Sequence, residues 1–452
     1  MTEHEQMIDQ LEHCIDTQNA QGAGALLESL PSGERSRLID RLDDERQERL
    51  MVMIQPEQAA DLLEHMADAQ AVDILDGIDP DRAADILEEL DSDAAADMLG
   101  ELEDDEAEAI LEEMEPAEAA EARELLRYDE DTAGGLMRSE FLAYPMSATV
   151  GDVTEDMRAN AETYTDYDVQ YAYIVDAEKR TVGVLRLRDL LLSTPATPVT
   201  KIMLPDPLVV NHATRLDDLV RLFDEKQFVG FPVVDDLKRL IGVVMRKSVR
   251  EAAAEDVAED FLKVSGLGGK EELRSMPLGV RSGRRLSWLS VNILLNVLAA
   301  SVIAAYQDTL AQVIALAVFL PIISDMSGCS GSQAVAVSIR ELALGLVRPV
   351  EMMRVLGKEM AVGCINGLAL GILLGAVTLL WKGNMWLGAV VGGALMLNTI
   401  VAVSLGGMIP LALKRMNLDP ALASGPILTT VTDMCGFFFV LSMATLVLPH
   451  LV

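Results

Sequence analysis

Long apolar stretches dominate the chain from Leu286 onward, where acidic residues almost vanish. Five of these stretches are long enough to cross the hydrocarbon core of a bilayer as helices. The pattern therefore predicts a membrane-embedded part with five spans, over residues 286–306, 310–339, 360–380, 387–413 and 421–448.

A different pattern, with a period of twelve residues, fills the N-terminal part of the chain. In the copy that begins at Ala83, apolar residues follow at i+3, i+4 and i+7, which is one face of a short helix. Asp and Glu cover the other face, which is either a solvated surface or shares a regulatory cation with a neighbouring domain. Because such short units must stack to bury their apolar face, we predict an acidic α-helical superhelical domain over residues 1–131. The copies begin at Ala59, Ala71, Ala83, Ala95, Ala107 and Ala119.

Residues 136–249 contain two copies of a third pattern. Each copy has Val-Asp, a basic turn and Gly-Val in succession, at residues 175–184 and again at residues 234–243, which predicts two β-hairpins. An Ala-Thr pair precedes a predicted helix in each copy, at Ala148 and at Ala213. Duplication of this kind is typical of a tandem nucleotide- or ion-sensing α/β module, which we assign to residues 132–246.

A helix predicted over residues 247–264 connects this module to the membrane part. Its carboxylates repel one another, so a divalent cation that bridges them to other acidic groups would stabilise one arrangement. The alternative is an exposed acidic helix without a ligand. A flexible break is predicted at residues 265–269, and we assign residues 247–270 to the connecting segment. The carboxylates are those of Glu251, Glu255, Asp256, Glu259 and Asp260.

The formal net charge of -36 arises mainly in the first part of the chain. A soluble part this acidic repels nucleic acid and attracts cations, although a solvated surface or adaptation to high salt explains the charge equally well. The 4 cysteines form no CxxC pair, so neither a disulfide framework nor a zinc site is predicted. The N-terminus lacks the basic and apolar regions of a signal peptide, which predicts a cytoplasmic soluble part.

Basic residues predict the topology of the spans. The loops after the second and fourth spans are basic, whereas the loops near residues 307–308 and 382–383 are nearly free of basic residues. Because cytoplasmic loops carry the excess of Lys and Arg, the N-terminus is predicted in the cytoplasm and the C-terminus outside, in a cell inner membrane.

Two carboxylates lie within the spans, where each costs about 2.5 to 3.5 kcal/mol on insertion scales. Asp325 and Asp433 each begin the phrase Asp-Met-x-Gly among small or hydroxylic residues. We expect Pro321, Gly328 and Gly331 to break the second helix, as backbone that lines a polar cavity does. Surroundings rich in oxygen suit a hard, hydrated cation such as Mg²⁺, and the alternative is an aspartate that is paired or protonated between helices.

No GxxxxGK[ST] phosphate-binding loop occurs in the sequence, so ATP hydrolysis is not expected to power transport. An inside-negative membrane potential supplies about 4.6 kcal/mol per 100 mV to a divalent cation, twice the value for one elementary charge. Passive uptake is therefore sufficient.

Taken together, these features resemble the MgtE family of Mg²⁺ channels over nearly the whole chain, and the duplicated module resembles a pair of CBS domains. The most specific parts of the resemblance are residues 132–137, 321–340 and 419–433. It implies a homodimer in the lipid bilayer, with a pore for divalent cations on the two-fold axis between the second and fifth spans. The CBS pair implies regulation by ions or by ATP. The residues assigned to the pore are Asp433, Asp325, Thr429, Thr430, Gly328, Ser332 and Gln333.

The resemblance also implies that the connecting helix is a plug, which Mg²⁺ holds shut by bridging it to the N-terminal and CBS domains. The chain departs from the family at residues 328–333, where it reads Gly-Cys-Ser-Gly-Ser-Gln, and at Asp325, which replaces a small residue. Lys247 and Ser248 stand where acidic ligands are expected. The matching acidic plug positions are Glu251, Asp256, Glu259 and Asp260.

Two other functions stay open at this point. Transport of Co²⁺ or another divalent cation is one, because the usual order of affinities favours transition metals over Mg²⁺. An intramembrane aspartyl protease is the other, but Ser324 and Thr432, rather than glycine, precede the two aspartates. We therefore expect no enzymatic activity and a multidomain membrane protein, with a five-helix transmembrane domain over residues 271–452.

Overall fold

The computed structural model describes residues 3–161, 164, 167, 171–264, 266, 278–416 and 418–452. They fall into two compact units, one ending at Asp256 and the other beginning at Val257. The predicted break at residues 265–269 lies outside the described residues except for Gly266, which has a φ of +82°.

The described residues of the N-terminal domain form ten short helices. Three of them begin with proline, which fits the first turn because its missing N–H has no partner there in any helix. The helices are Glu3–Asp16 (α1), Ala20–Glu28 (α2), Ser32–Ile39 (α3), Asp44–Met53 (α4), Pro56–Glu64 (α5), Asp68–Gly77 (α6), Pro80–Leu87 (α7), Ser92–Glu101 (α8), Asp104–Glu113 (α9) and Pro116–Leu125 (α10).

Each twelve-residue copy is one helix, from α5 to α10. The six alanines that begin the copies are all buried, and they share one hydrophobic core with most of the apolar residues that follow them. Each helix contacts the next helix but one, so that α5 packs on α7, α6 on α8 and α7 on α9. This stacking confirms the predicted superhelical domain.

Two four-stranded sheets form the duplicated α/β module, and the two predicted hairpins are confirmed. The strands are Met137–Arg138 (β1), Leu142–Pro145 (β2), Tyr171–Val175 (β3), Thr181–Arg186 (β4), Leu204–Pro205 (β5), Val210–Asn211 (β6), Gly230–Val234 (β7) and Leu240–Met245 (β8). The helices are Val150–Ala159 (α11), Leu187–Leu191 (α12) and Leu216–Glu225 (α13), with a 3₁₀ helix at Val199–Lys201.

The two copies exchange strands. The sheet orders are β1-β8-β7-β6 and β2-β3-β4-β5, so the first strand of the first copy pairs antiparallel with the last strand of the second. The hairpin turns are alike in detail: Lys179 and Lys238 have φ of 62° and 63°, and the Asp176 and Asp235 carboxylates accept backbone N–H groups of their own turns. The module is thus a single interlocked pair.

The connecting helix, Arg246–Val264 (α14), is confirmed. Five helices of the described residues are long and apolar enough to cross a membrane. The helices after α14 are Leu278–Ala305 (α15), Gln307–Gln312 (α16), Leu320–Ala343 (α17), Met352–Lys382 (α18), Met385–Arg415 (α19), Pro420–Leu446 (α20) and Leu448–Leu451 (α21), with 3₁₀ helices at Ile314–Val318 and Pro349–Glu351.

The predicted break of the second span at Gly328 and Gly331 is wrong, because α17 runs through both residues without interruption. Pro321 lies in its first turn, where proline is tolerated. The irregular backbone lies upstream instead, in the 3₁₀ helix Ile314–Val318. Gly331 serves close packing, since a Cβ there would lie 3.0 Å from the carbonyl oxygen of Ala402 on α19.

Candidate cation pathway and regulatory contacts

One face of α17 is polar and exposed in the single chain. Asp325, Cys329, Ser332 and Gln333 are exposed, and their spacing of i, i+4, i+7 and i+8 places them on one side of the helix. Gly328 is next to this side, and a Cβ there would meet no atom within 4 Å. We call these four exposed residues the polar face of α17. A face of this kind is costly against lipid, so it requires a second protein surface or water.

The other side of α17 packs against α19 and α20. Ser327 and Ser338 are buried there, and the Ser338 hydroxyl donates to the carbonyl oxygen of Gly407 at 3.1 Å. The Leu428 side chain of α20 closes on Gly331. The polar face therefore remains outside the contacts within one chain.

Asp433 lies on α20 and is 9% exposed. Its carboxylate accepts a hydrogen bond from the hydroxyl of Ser324 on α17. Asp325, the next residue of α17, is exposed, so the two intramembrane aspartates lie in different surroundings. Within the described part of the chain they share no hydrogen bond, in contrast to a catalytic pair that shares a proton.

The two threonines assigned to the pore lie one turn before Asp433 on α20. The Thr429 side chain is exposed, whereas Thr430 donates to the carbonyl oxygen of Pro426 at 2.7 Å. The structure thus brings Thr429, Thr430 and Asp433 onto one helix beside α17. It leaves the outward face of α17 as a separate polar surface.

Asn398 of α19 is a polar residue that the sequence reasoning missed. It is fully buried, and its amide Nδ2 donates to the hydroxyl oxygen of Ser327. Gly436 of α20 lies so close that a Cβ there would be 2.7 Å from this nitrogen. The available signal was a lone amide in the fourth apolar stretch, where a buried polar group needs a partner.

The compact unit that ends at Asp256, which we call the soluble unit, has a charged cluster between α8 and β1. Arg138 contacts Asp91 at 2.7 Å and Asp93 at 3.0 Å, and the Ser248 hydroxyl donates to Asp93 at 2.8 Å. Partial burial raises the pKa of Asp91 to about 6, and the carboxylates of Asp93 and Glu140 add to it. Arg138 opposes this rise, but it is shared with Asp93, so the ion pair does not restore the ordinary pKa.

Lysines hold both ends of α14. The Lys247 ammonium contacts Glu64 of α5 at 2.7 Å, and this hydrogen bond lowers the pKa of Glu64. Near the other end, Lys263 contacts Glu259 at 2.8 Å and Asp419 at 3.3 Å. Ammonium groups of the chain itself therefore contact carboxylates at both ends of α14, the helix for which a bridging divalent cation is predicted.

The acidic plug residues are placed along α14 in two groups. Glu251 and Asp256 are exposed, whereas Glu259 and Asp260 are half-buried. Among the residues that the structure describes, no three His, Cys, Asp or Glu side chains come together closely enough to hold a metal ion. The predicted regulatory metal at the plug remains a hypothesis.

Comparison with known proteins adds three family matches. Residues 320–443 match a family described as a divalent cation transporter, MgtE. Residues 30–131 match the MgtE intracellular N domain, and residues 133–194 and 199–255 match CBS domains. These matches correspond, respectively, to the membrane part, the N-terminal helical domain and the α/β module described above.

Several curated and solved proteins are similar to this chain. The magnesium transporter MgtE of Thermus thermophilus is 35% identical over 334 residues, which are 73% of each chain. That of Bacillus subtilis is 30% identical over 321 residues, 71% of this chain and 70% of the relative. A crystal structure of the cytosolic domain of the Mg²⁺ channel MgtE in complex with ATP is 31% identical, with a TM-score of 0.50, and the match covers 54% of this chain and 99% of that one.

Proposed function

Because the chain belongs to the MgtE family of divalent cation transporters, we propose that it carries Mg²⁺ across a membrane, down the electrochemical gradient. Two observations carry the proposal: the exposed polar face of α17, and the carboxylate of Asp433 on α20, both in helices long and apolar enough to cross a membrane. Hydroxyl, amide and carboxylate oxygens suit a hydrated Mg²⁺, which keeps most of its water ligands. The named function of the relatives supports the same ion.

The pathway is completed by a second copy of the chain. Two polar faces of α17 that meet on a two-fold axis would remove both from lipid and enclose water between them. Asp433, Thr429 and Thr430 of α20 would border the same passage, together with Gly328. Two Asp433 carboxylates then balance the charge of one divalent cation.

Regulation is assigned to the soluble unit and α14. In this proposal Mg²⁺ in the cytoplasm binds between α14 and its acidic neighbours and closes the pathway. Glu251, Asp256, Glu259 and Asp260 are the ligands that α14 offers. Lys247 and Lys263 supply part of the same bridging charge, so the closed arrangement depends only partly on the ion.

ATP is proposed as a ligand of the α/β pair, where it would be regulatory. The support is the ATP complex of the similar cytosolic domain and the shared interlocked sheets. From the basic loops we propose a cytoplasmic N-terminus, an outside C-terminus and a location in the cell inner membrane.

Flux into proteoliposomes tests the function. The purified chain should admit Mg²⁺ at low internal Mg²⁺, and Asp433→Asn should abolish the flux because the pathway loses its buried charge. Asp308→Asn, an exposed carboxylate of α16, is the matched control and should leave the flux unchanged. Vesicles as impermeable as protein-free ones would refute transport.

Competition between ions distinguishes transport of Mg²⁺ from the second candidate function, transport of another divalent cation. Co²⁺ and Ca²⁺ are offered with Mg²⁺ to the same vesicles, and a preference for Co²⁺ would replace Mg²⁺ as the cargo. If the chain cleaved a membrane-spanning peptide and Asp433→Asn abolished the cleavage, the result would instead support the hypothesis of an aspartyl protease.

A further inference from the structure

A buried polar cluster joins three membrane helices. It consists of Ser324 and Ser327 on α17, Asn398 on α19 and Asp433 on α20. Ser327 and Asn398 are fully buried and Asp433 nearly so. Burying polar groups in such surroundings costs free energy, so their presence indicates a functional role.

Hydrogen bonds connect Asn398 to the backbone of the α17 turn that carries Ser324. The Asn398 amide donates to the Ser327 oxygen, and the Ser327 hydroxyl donates to the carbonyl oxygens of Ile323, at 2.6 Å, and Ser324, at 3.1 Å. Ser324 then donates to Asp433. The turn of α17 that presents Ser324 is therefore braced from α19.

The amide oxygen of Asn398 has no hydrogen-bond donor in the described structure, although it is buried. An apolar residue of similar size would avoid this unsatisfied group. Packing alone thus does not explain an asparagine at this position. The asparagine therefore contributes through its amide N–H, which donates a hydrogen bond to Ser327.

From these contacts we propose that Ser324 is a positioning residue for Asp433, and that Asn398 supports it through Ser327. The inference rests on the proposed function, in which Asp433 faces the hydrated cation. The Ser324 hydroxyl holds one carboxylate oxygen and restricts the rotation of the side chain. The second oxygen is then presented to a water ligand of the ion in one orientation.

Three variants and a control test the proposal in proteoliposomes of the full chain. Mg²⁺ influx is measured over a series of external concentrations, so that the half-maximal concentration and the maximal rate are obtained separately. Ser324→Ala should raise the half-maximal concentration about tenfold, the lower range for losing a hydrogen bond to a charged group. Ser324→Thr keeps the hydroxyl and should restore the parent value.

Ser330→Ala is the matched control on the same helix. In the part of the chain that the structure describes, its hydroxyl donates only to the carbonyl oxygen of Met326 in its own helix, at 3.0 Å. This variant should keep the half-maximal concentration of the parent chain.

Asn398→Leu tests directly whether Asn398 supports Ser324 through its hydrogen bond to Ser327. If the asparagine were structural, its replacement by leucine would leave the half-maximal concentration unchanged. We expect instead that the half-maximal concentration rises severalfold while the thermal midpoint in detergent is unchanged or higher. Should the leucine variant not fold, Asn398→Ala, which leaves space, takes its place with the same expected rise.

The outcomes are distinguishable. If Asp433→Asn abolishes flux but Ser324→Ala stays within twofold of the parent, the positioning role is overturned and the proposed function stands. If Asp433→Asn conducts like the parent, the proposed function itself fails. If Ser324→Thr behaves like Ser324→Ala, the hydroxyl is not what matters and the positioning role is again overturned.

Discussion

Single residues in the soluble unit show how charge is managed in so acidic a protein. Arg138 is mostly buried, with 13% of its side chain exposed, and it contacts two carboxylates at once. The Asp93 carboxylate also accepts a hydrogen bond from the Ser248 hydroxyl. Among the described residues no hydroxyl donates to the Asp91 carboxylate, and partial burial raises its pKa to about 6.

The raised pKa of Asp91 predicts a dependence of stability on pH. The folded chain holds a proton on Asp91 between about pH 4 and pH 6, whereas the unfolded chain does not, so the free energy of unfolding should rise as pH falls from 7 to 5. The difference is worth at most about 3 kcal/mol, and less because 30% of the side chain is exposed.

Native-state hydrogen exchange of the α8 amides in the full chain, corrected for intrinsic rates, measures this gain. Asp91→Asn cannot titrate and should show a smaller gain. Parallel pH profiles for the two proteins would contradict the assignment.

At the scale of elements, α18 and α19 depend on close backbone contact. Glycines of the two helices face one another, and a Cβ at Gly371 would lie 2.6 Å from the carbonyl oxygen of Gly392. Small residues at such crossings let the helices approach, which is how membrane helices gain packing energy.

Two glycine-to-alanine changes in α18 separate packing from helix propensity. Gly371→Ala should destabilise the chain by about 1 to 3 kcal/mol, because the added methyl group overpacks the contact. Gly357→Ala meets no atom within 4 Å and should stabilise it by about 0.5 to 1 kcal/mol through higher helix propensity. Reversible unfolding in mixed micelles gives both values, and equal effects would exclude the packing explanation.

The connecting helix α14 is the second element with a testable contact. Lys263 joins Glu259 to Asp419, so Lys263→Ala should leave closure more dependent on Mg²⁺. We expect the internal Mg²⁺ concentration for half-inhibition of influx to rise by up to about fivefold, the scale of a partly exposed ion pair. Lys201→Ala, an exposed lysine of the soluble unit, is the control. No change for Lys263→Ala would mean that the lysine takes no part in closure.

For the whole molecule, the polar face of α17 predicts the arrangement of two copies. Cys329 lies on this face, whereas Cys364 lies on the exposed side of α18. If two α17 helices meet on a two-fold axis, chains that retain only Cys329 should form covalent dimers with a short bifunctional maleimide. Chains that retain only Cys364 should not. Equal cross-linking of both, or of Cys364 alone, would place the interface elsewhere.

Much of this architecture follows from local pattern. The twelve-residue period, the two hairpins and the five apolar stretches each predict an element that the structure contains, because burial of one face dictates the spacing of apolar residues. The wrong prediction of a helix break at Gly328 and Gly331 also comes from local pattern. Glycine weakens helices, which predicts a break, whereas in α17 Gly331 allows close contact with α19 and a Cβ at Gly328 would meet no atom within 4 Å.

The amino-acid sequence by itself determined the identity and order of the elements, the acidic soluble part and the presence of two intramembrane carboxylates. Only the tertiary structure decided that β1 pairs with β8, that Lys247 pairs with Glu64, and that Asn398 donates to Ser327. The physical reason is distance along the chain. Periodicity reports which face of an element is buried, but the partner of a polar group far away in the sequence is set by how the elements pack.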